Sequence, residues 1–264
     1  MKPRQGSGED VKMTCTEKPA AAWLDILTAQ LEAWNAKPAL RDVYTAWFRE
    51  IAAYLCPGIS VEIGCGIGRM KTVIPDLHAM DIVKTPWTDM VGDAHRLAVK
   101  SNCISNVILF DVLHHLPFPL AFLSEAFRAL RPGGRLIIVD PYISPFSGLM
   151  YGCFHSEPFS LKQNPFKATA ALCTIDPSGA NQAIATLLFY RHRRAFRKQF
   201  SDVRWIMQKR FAFFAYPATG GFGSESLVPD KLIHLLRKIE PIFKPLSAML
   251  AFRLMVVLEK SQNA

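Results

Sequence analysis

The sequence predicts an α/β fold built on a doubly wound, mostly parallel sheet, and three observations carry that expectation. Val61-Glu62-Ile63 reads as a short buried strand that runs directly into Gly64, Gly66 and Gly68. Glycine takes positive φ freely and lets a ligand lie against the main chain, so these glycines mark a ligand-wrapping loop at the carboxyl edge of a parallel sheet. His78-Ala79-Met80-Asp81-Ile82 reads as a second strand that ends in an acid. Phe122 to Ala129 has helical apolar spacing, Pro132-Gly133-Gly134 is a stop, and Leu136-Ile137-Ile138-Val139 is a β-branched buried strand.

The remaining elements fit around that core. Two helices are expected near residues 20–35 and 40–55; in the second, Val43, Trp47, Ile51 and Leu55 recur every four residues as one apolar face. They read equally as a lid over the glycine loop or as packing on the sheet edge. Asn106 to Phe110 reads as a fourth strand, with Asp111 to Pro117 as the loop after it. Residues 141–185 are rich in Pro, Phe, Ser and Gly and read as a long insertion; loops of that length are usually functional or disordered, and the aromatic content argues against disorder. Segments near 203–214 and 249–260 read as the two closing strands of the same sheet. The expected organisation is a flexible tail over 1–19 and a single domain over 20–264, with helices on both faces of the sheet.

Composition narrows the class. A chain of 264 residues, half of them hydrophobic, can bury one substantial core and is not disordered over most of its length. The six cysteines, at 15, 56, 65, 103, 153 and 173, form no C-x-x-C pair, so neither a zinc site nor a disulfide framework is expected. A reducing compartment follows, and with it a cytoplasmic location. Met1 to Pro19 lacks an apolar signal core, and no uncharged apolar run reaches the ~18 residues of a bilayer span.

The glycine spacing separates cofactors. A dinucleotide loop needs G-x-G-x-x-G opening a helix, whereas this chain has G-x-G-x-G with Glu62 two residues before the first glycine. An NAD-binding oxidoreductase is therefore disfavoured. In a doubly wound sheet, an acid at the position of Asp81 can accept hydrogen bonds from ribose hydroxyls.

Taken together, Glu62-Ile63-Gly64-Cys65-Gly66-Ile67-Gly68, Asp81, Gly92-Asp93-Ala94-His95-Arg96-Leu97, Asn106 to Pro117 and Leu130-Arg131-Pro132-Gly133-Gly134-Arg135 resemble, in order and spacing, the motifs of class I S-adenosylmethionine (SAM) methyltransferases. The flanking segments are similar to the bacterial type 11 subgroup. The resemblance implies a seven-stranded Rossmann-like sheet with an antiparallel closing strand, and SAM as cofactor. It places that cofactor at Glu62, Gly64, Cys65, Gly66 and Gly68, with Asp81 and Ile82 at the ribose, Asp93 and Ala94 at the adenine, and Phe110 and Asp111 toward the methionine part. One departure stands out: the segment Ile82 to Val91 is only ten residues long and contains Pro86, so the helix that such proteins carry there is expected to be a loop.

An activated methyl group needs a nucleophile held in line and water excluded, and a carbon or phenol-like oxygen nucleophile also needs a base. His155 is the expected base, with Glu157 as its partner; two residues apart in an extended segment, they point to the same side. The alternative is a surface pair that shapes the loop. His114 and His115 lie after the fourth strand, and His115 is a second catalytic candidate or a histidine bonded to backbone. No metal is expected. Tyr142, Tyr151, Phe154 and Phe159 read either as an apolar acceptor pocket or as plain core.

The net charge is +9, and Arg191 to Lys198 is a dense cationic run on an expected helix. It reads either as a solvated face or as an attraction for anions. Leu232, Leu235, Leu236 and Ile239 lie at helical spacing among Lys231, His234 and Lys238, which suits a core-facing helix or one lying on a membrane. The expected substrate is a small hydrophobic or lipid-linked acceptor, with an anionic membrane surface as a partner at the inner face and no nucleic acid. The alternatives are a quinone-type C-methyltransferase and a non-catalytic SAM-binding protein. Oligomeric state is not legible.

Overall fold

The computed structural model describes residues 20–154, 157–168, 170–173 and 179–262. The expected tail over 1–19 lies outside them. Helices α1 (Ala20–Ala36) and α2 (Pro38–Ala52) precede a seven-stranded sheet made of β1 (Ser60–Ile63), β2 (Leu77–Asp81), β3 (Met90–Val91), β4 (Ile104–Phe110), β5 (Leu130–Pro141), β6 (Val203–Phe211) and β7 (Arg253–Lys260). The strand order is β3-β2-β1-β4-β5-β7-β6. All ladders are parallel except those of β7, which pairs antiparallel with both β5 and β6. The order reverses between β1 and β4, the crevice where doubly wound sheets bind ligands.

Strand alternation builds two cores, one on each face. Leu136 and Ile138 of β5, with Leu254, Val256 and Leu258 of β7, join Phe122, Leu123 and Phe127 of α3 (Pro119–Ala129). Ile137 and Val139, with Met255 and Val257, join Leu40, Val43, Tyr44, Phe48 and Ile51 of α2. β1 and β4 are buried along their whole length, as strands covered on both faces must be. Proline occupies the first turn of α2 and of α3, where its missing N–H costs nothing.

The expected loop after Ile82 is present: residues 82–89 are neither helix nor strand, and β3 follows with only two residues. The segment after β5 differs from expectation, because it opens with helix α4 (Pro145–Phe154). Ser144 Oγ accepts the Ser147 N–H at 3.0 Å, and Ser147 Oγ accepts the Ser144 N–H at 2.8 Å. This reciprocal cap, with Pro145 at the first helical position, starts a helix that composition alone conceals.

Beyond it lie α5 (Ile184–Thr186), α6 (Arg193–Gln199), α7 (Ala215–Ala218), α8 (Asp230–Ile239) and α9 (Ser247–Leu250). Arg193 to Lys198 of the cationic run lie on α6, where Phe196 is buried and Arg193 and Arg197 stack on Trp205 at 4.8 and 5.5 Å. On α8 the expected apolar stripe is part packed and part exposed. Ile233 is the buried residue, packed with Ala39 and Ala215, while Leu232 and Leu235 are 41% and 53% exposed. Leu236 also packs on that cluster and Ile239 is half-buried, so the stripe is divided between packing and solvent. No helix among the described residues is long and apolar enough to cross a membrane.

Candidate cofactor and active site

A cavity of about 310 Å³ opens at the carboxyl ends of β1, β2 and β4. Its floor is the glycine loop, in which Gly64, Gly66 and Gly68 all have left-handed backbone, at φ +71°, +51° and +64°. Their roles differ. A Cβ on Gly64 would lie 2.5 Å from Val112 Cγ2, and one on Gly68 would lie 2.8 Å from Trp87 Cβ. A Cβ on Gly66 would meet only Leu27 Cδ2, at 3.8 Å, so it would stand in the cavity itself. Gly64 and Gly66 therefore shape the cavity, whereas Gly68, which does not line it, allows the loop after β2 to close against β1.

Glu62, Cys65, Asp81, Ile82, Asp93, Ala94, Phe110 and Asp111 also line the cavity. The Gly64 and Cys65 N–H groups donate to the Met80 carbonyl at 2.8 and 3.1 Å, and the Gly66 N–H donates to Asp81 Oδ2 at 3.1 Å. These bonds tie β1's loop to the end of β2. Glu62 is 4% exposed, and its Oε2 has no partner among the described residues. Burial, reinforced by the charge of Asp81, pushes its carboxyl up to about 8. Desolvation also raises Asp81, against the backbone N–H groups of Gly66, Val83 and Ile82 that favour its charge. The buried Glu62 carboxyl has an oxygen free for a donor, and half-buried Asp81 has lone pairs beyond its backbone bonds. An ammonium group and a ribose diol are such donors, so the residues fit a ligand that carries both.

At the far end, His95 Nδ1 lies 2.8 Å from Asp93 Oδ1, while buried His95 Nε2 has no partner among the described residues. His95 of the Gly92–Leu97 segment fixes the carboxylate of Asp93 and lines the cavity beside it. The roof comes from the first two helices, through Trp23, Leu27, Trp34, Tyr44 and Phe48, and from Phe222 in the loop after α7. Lys37 Nζ donates to the carbonyls of Gly221, at 2.7 Å, and Thr219, at 3.3 Å, and so clamps the Phe222 loop to the junction of α1 and α2.

Asp111 lies where β4 ends, with left-handed backbone at φ +58°. Its carboxylate bonds Arg253 of β7, whose Nη2 donates to the Tyr216 hydroxyl at 2.7 Å. Nothing in the sequence flagged Arg253 or Tyr216, because they come from the last quarter of the chain.

The catalytic candidates divide. His155 lies outside the described residues. His115 lines the cavity, and Glu157 stands behind it with Oε1 4.0 Å from His115 Nε2. Glu157 also meets buried His114, with 3.6 Å between Oε2 and Nε2, and its carboxylate accepts a hydrogen bond from the Gln182 amide. His114 Nδ1 lies 2.9 Å from Asp140 Oδ1. Desolvation pulls His114 down, but the carboxylates of Asp140 and Glu157 outweigh it and raise the imidazole above its ordinary value. Burial and the neighbouring His114 pull His115 down. Spacing shows no ligand cluster, yet folding gathers the side chains of His114, His115 and Glu157 within 4.8 Å of one another. Of the expected acceptor-pocket aromatics, Tyr142 and Tyr151 are buried and Phe159 is half-buried, and none of them lines the cavity.

The sheet order, the glycine loop and the cavity at the strand reversal define a Rossmann-like fold of the class I methyltransferase type. Residues 61–138 match the family model described as a methyltransferase domain. A probable S-adenosylmethionine-dependent methyltransferase of Mycolicibacterium smegmatis is 30% identical over 38% of this chain and 48% of its own length. The chain thus spans about half the length of the curated relative it matches. A SAM-dependent methyltransferase of Thermotoga maritima, described as a possible histamine N-methyltransferase, superposes with a TM-score of 0.52 at 15% identity, over 91% of this chain and 99% of that one. A SAM-dependent methyltransferase of Archaeoglobus fulgidus gives 0.50 at 15% identity, over 83% and 94%. Over residues 61–138 the chain is thus similar to a methyltransferase domain, and its fold is the one that S-adenosylmethionine-dependent methyltransferases adopt.

Proposed function

We propose that the protein transfers a methyl group from S-adenosylmethionine to an oxygen or carbon nucleophile of a small hydrophobic or lipid-linked acceptor. The observation that carries this reading is the row of acids in the cavity: buried Glu62 and half-buried Asp81 at the glycine loop, and Asp93 beyond them. When bound, the cofactor supplies a sulfonium methyl whose departure leaves a neutral thioether.

The chain's own residues bind, orient and exclude water. Glu62 would take the ammonium group, Asp81 the ribose hydroxyls and Asp93, steadied by His95, the base. The helical roof and Phe222 keep water from the reacting atoms. In the metal-free protein His115, which lines the cavity together with His95 and is held neutral by burial, would accept a proton from an acceptor, with Glu157 behind it. An apolar acceptor suits the aromatic wall of Tyr44, Phe48, Phe110 and Phe222. A lipid-linked acceptor is favoured by the outward-facing Leu235, Ile242, Leu246 and Met249, which run beside Arg237, Lys238 and Lys244.

Calorimetric titration with S-adenosylmethionine, S-adenosylhomocysteine and NAD tests the cofactor half of the reading. Binding of the first two, abolished in Asp81→Ala, is expected; binding of NAD alone, or of none, overturns it. Assay of methyl transfer to a panel of phenolic and lipid-linked acceptors tests the rest, and purely polar acceptors emerging as the best substrates would overturn it.

A further inference from the structure

We propose that His114, His115 and Glu157 form a binding site for one divalent transition-metal ion at the wall of the cofactor cavity. The three side chains come from two places far apart in the chain, the loop after β4 and the segment after α4, yet each offers a ligand atom within 4.8 Å of the others. Two imidazoles and one carboxylate are the donor set that binds zinc, iron(II) or manganese while leaving coordination positions open.

The surroundings are those of a metal site rather than of a chance cluster. His114 Nδ1 is engaged by the fully buried carboxylate of Asp140 at 2.9 Å, which turns Nε2 toward Glu157. A carboxylate behind a ligating histidine fixes its tautomer and orientation in the same way. On the other side, the Gln182 amide holds the carboxylate of Glu157. Gln182 and Asn181 are themselves 3% and 4% exposed. The Asn181 N–H donates to the His114 carbonyl at 2.9 Å, and Asn181 Oδ1 accepts the Ser160 N–H at 2.9 Å. The segment that bears Glu157 is thus pinned to the loop that bears the histidines. Two carboxylates against two imidazoles also leave a surplus of negative charge that a dication would balance.

His115 lines the cavity, so the open positions of the ion would face it. There the ion would take an oxygen of the acceptor and acidify its hydroxyl, the proton leaving to solvent and the oxygen remaining on the metal. That last role rests on the methyltransferase reading; the metal site itself does not.

The test is titration of chelator-treated protein with Co²⁺, followed by calorimetry and by the visible absorption of the bound ion, with Zn²⁺ as competitor. One equivalent is expected to bind, with affinity at least ~100-fold lower in His115→Ala and Glu157→Gln, and ~10–100-fold lower in Asp140→Asn. Circular dichroism of each variant identifies any loss that comes from misfolding, and Glu157→Asp, which keeps a carboxylate, should retain part of the affinity. No saturable binding, which leaves only a proton between His114 and Glu157, overturns the proposal. So does binding unchanged in His115→Ala and Glu157→Gln. A parallel titration of the metal-free protein with S-adenosylhomocysteine separates this outcome from failure of the cofactor reading.

Discussion

The guanidinium of Arg253, on the strand that closes the sheet, bonds the carboxylate of Asp111, which lines the cavity with left-handed backbone at φ +58°. Arg253 is 4% exposed and also lies over the rings of Tyr216, Trp47 and Phe110, at 4.5, 5.6 and 5.9 Å. One buried cation thus joins β7, α2, α7 and the end of β4 beneath the site. Removing it leaves a carboxylate unpaired, so Arg253→Met should cost about 3 kcal/mol in urea denaturation. Asp111→Asn, which keeps a hydrogen-bond acceptor for Arg253, should cost less. A loss below ~1 kcal/mol in Arg253→Met would show that the contact is not structural.

Glu62 links stability to pH. Its carboxyl stays protonated in the folded chain up to about 8, whereas the unfolded chain ionises it near 4.5. Folding therefore takes up a proton between those values, and stability falls as pH rises through that window. Glu62→Gln should flatten the dependence of Tm on pH from 5 to 8 and raise Tm at the upper end, while weakening cofactor binding. Parallel Tm profiles for the variant and the native chain would refute the assignment.

The glycine loop allows a contrast between two alanines. Gly64→Ala combines a left-handed backbone with a Cβ 2.5 Å from Val112, so it should lose at least ~2 kcal/mol and be partly rescued by Val112→Ala. Gly66→Ala pays only the backbone cost of about 1 kcal/mol, yet places a methyl group in the cavity. Thermal melts beside cofactor titration should show Gly64→Ala as the less stable and Gly66→Ala as folded but poor at binding. The reverse pattern would mean that the two glycines have been assigned the wrong roles.

The membrane reading makes a prediction about charge. Arg193 and Arg197 of α6 stack on Trp205, so neutralising them disturbs packing as well as charge. Arg194 and Lys198 are exposed on the same helix. Flotation with anionic vesicles should show binding that weakens with salt and falls further in the double variant Arg194→Gln, Lys198→Gln, or in Leu235→Ser with Ile242→Ser. Absence of binding at low salt would remove membrane association from the proposed function.

Much of the architecture was legible because it is written in local pattern. The strand before Gly64, the acid at the end of β2, the loop forced by Pro86 and the apolar stretch of β5 each follow from short-range rules. They place the cavity beside Glu62, Gly64, Gly66 and Asp81. Helix α4 is not legible in local composition, because its signal, the cap between Ser144 and Ser147, is small beside the loop-like residues around it. On α8, periodicity shows where apolar residues gather but not which of them meets a partner: Ile233 and Leu236 pack with Ala39 and Ala215, while Leu232 and Leu235 stay exposed.

The sequence by itself determined the fold class, the strand that carries the glycine loop and the chemistry that loop can hold, since each depends on residues within a few positions of one another. The tertiary structure alone decided that Arg253 supports Asp111, that Lys37 holds the Phe222 loop and that Glu157 stands against His114 and His115. Those partners lie tens to nearly two hundred residues apart. No local spacing encodes such contacts, because they come into being only when the sheet order brings its edges, its closing strand and its covering segments to the same end of β4.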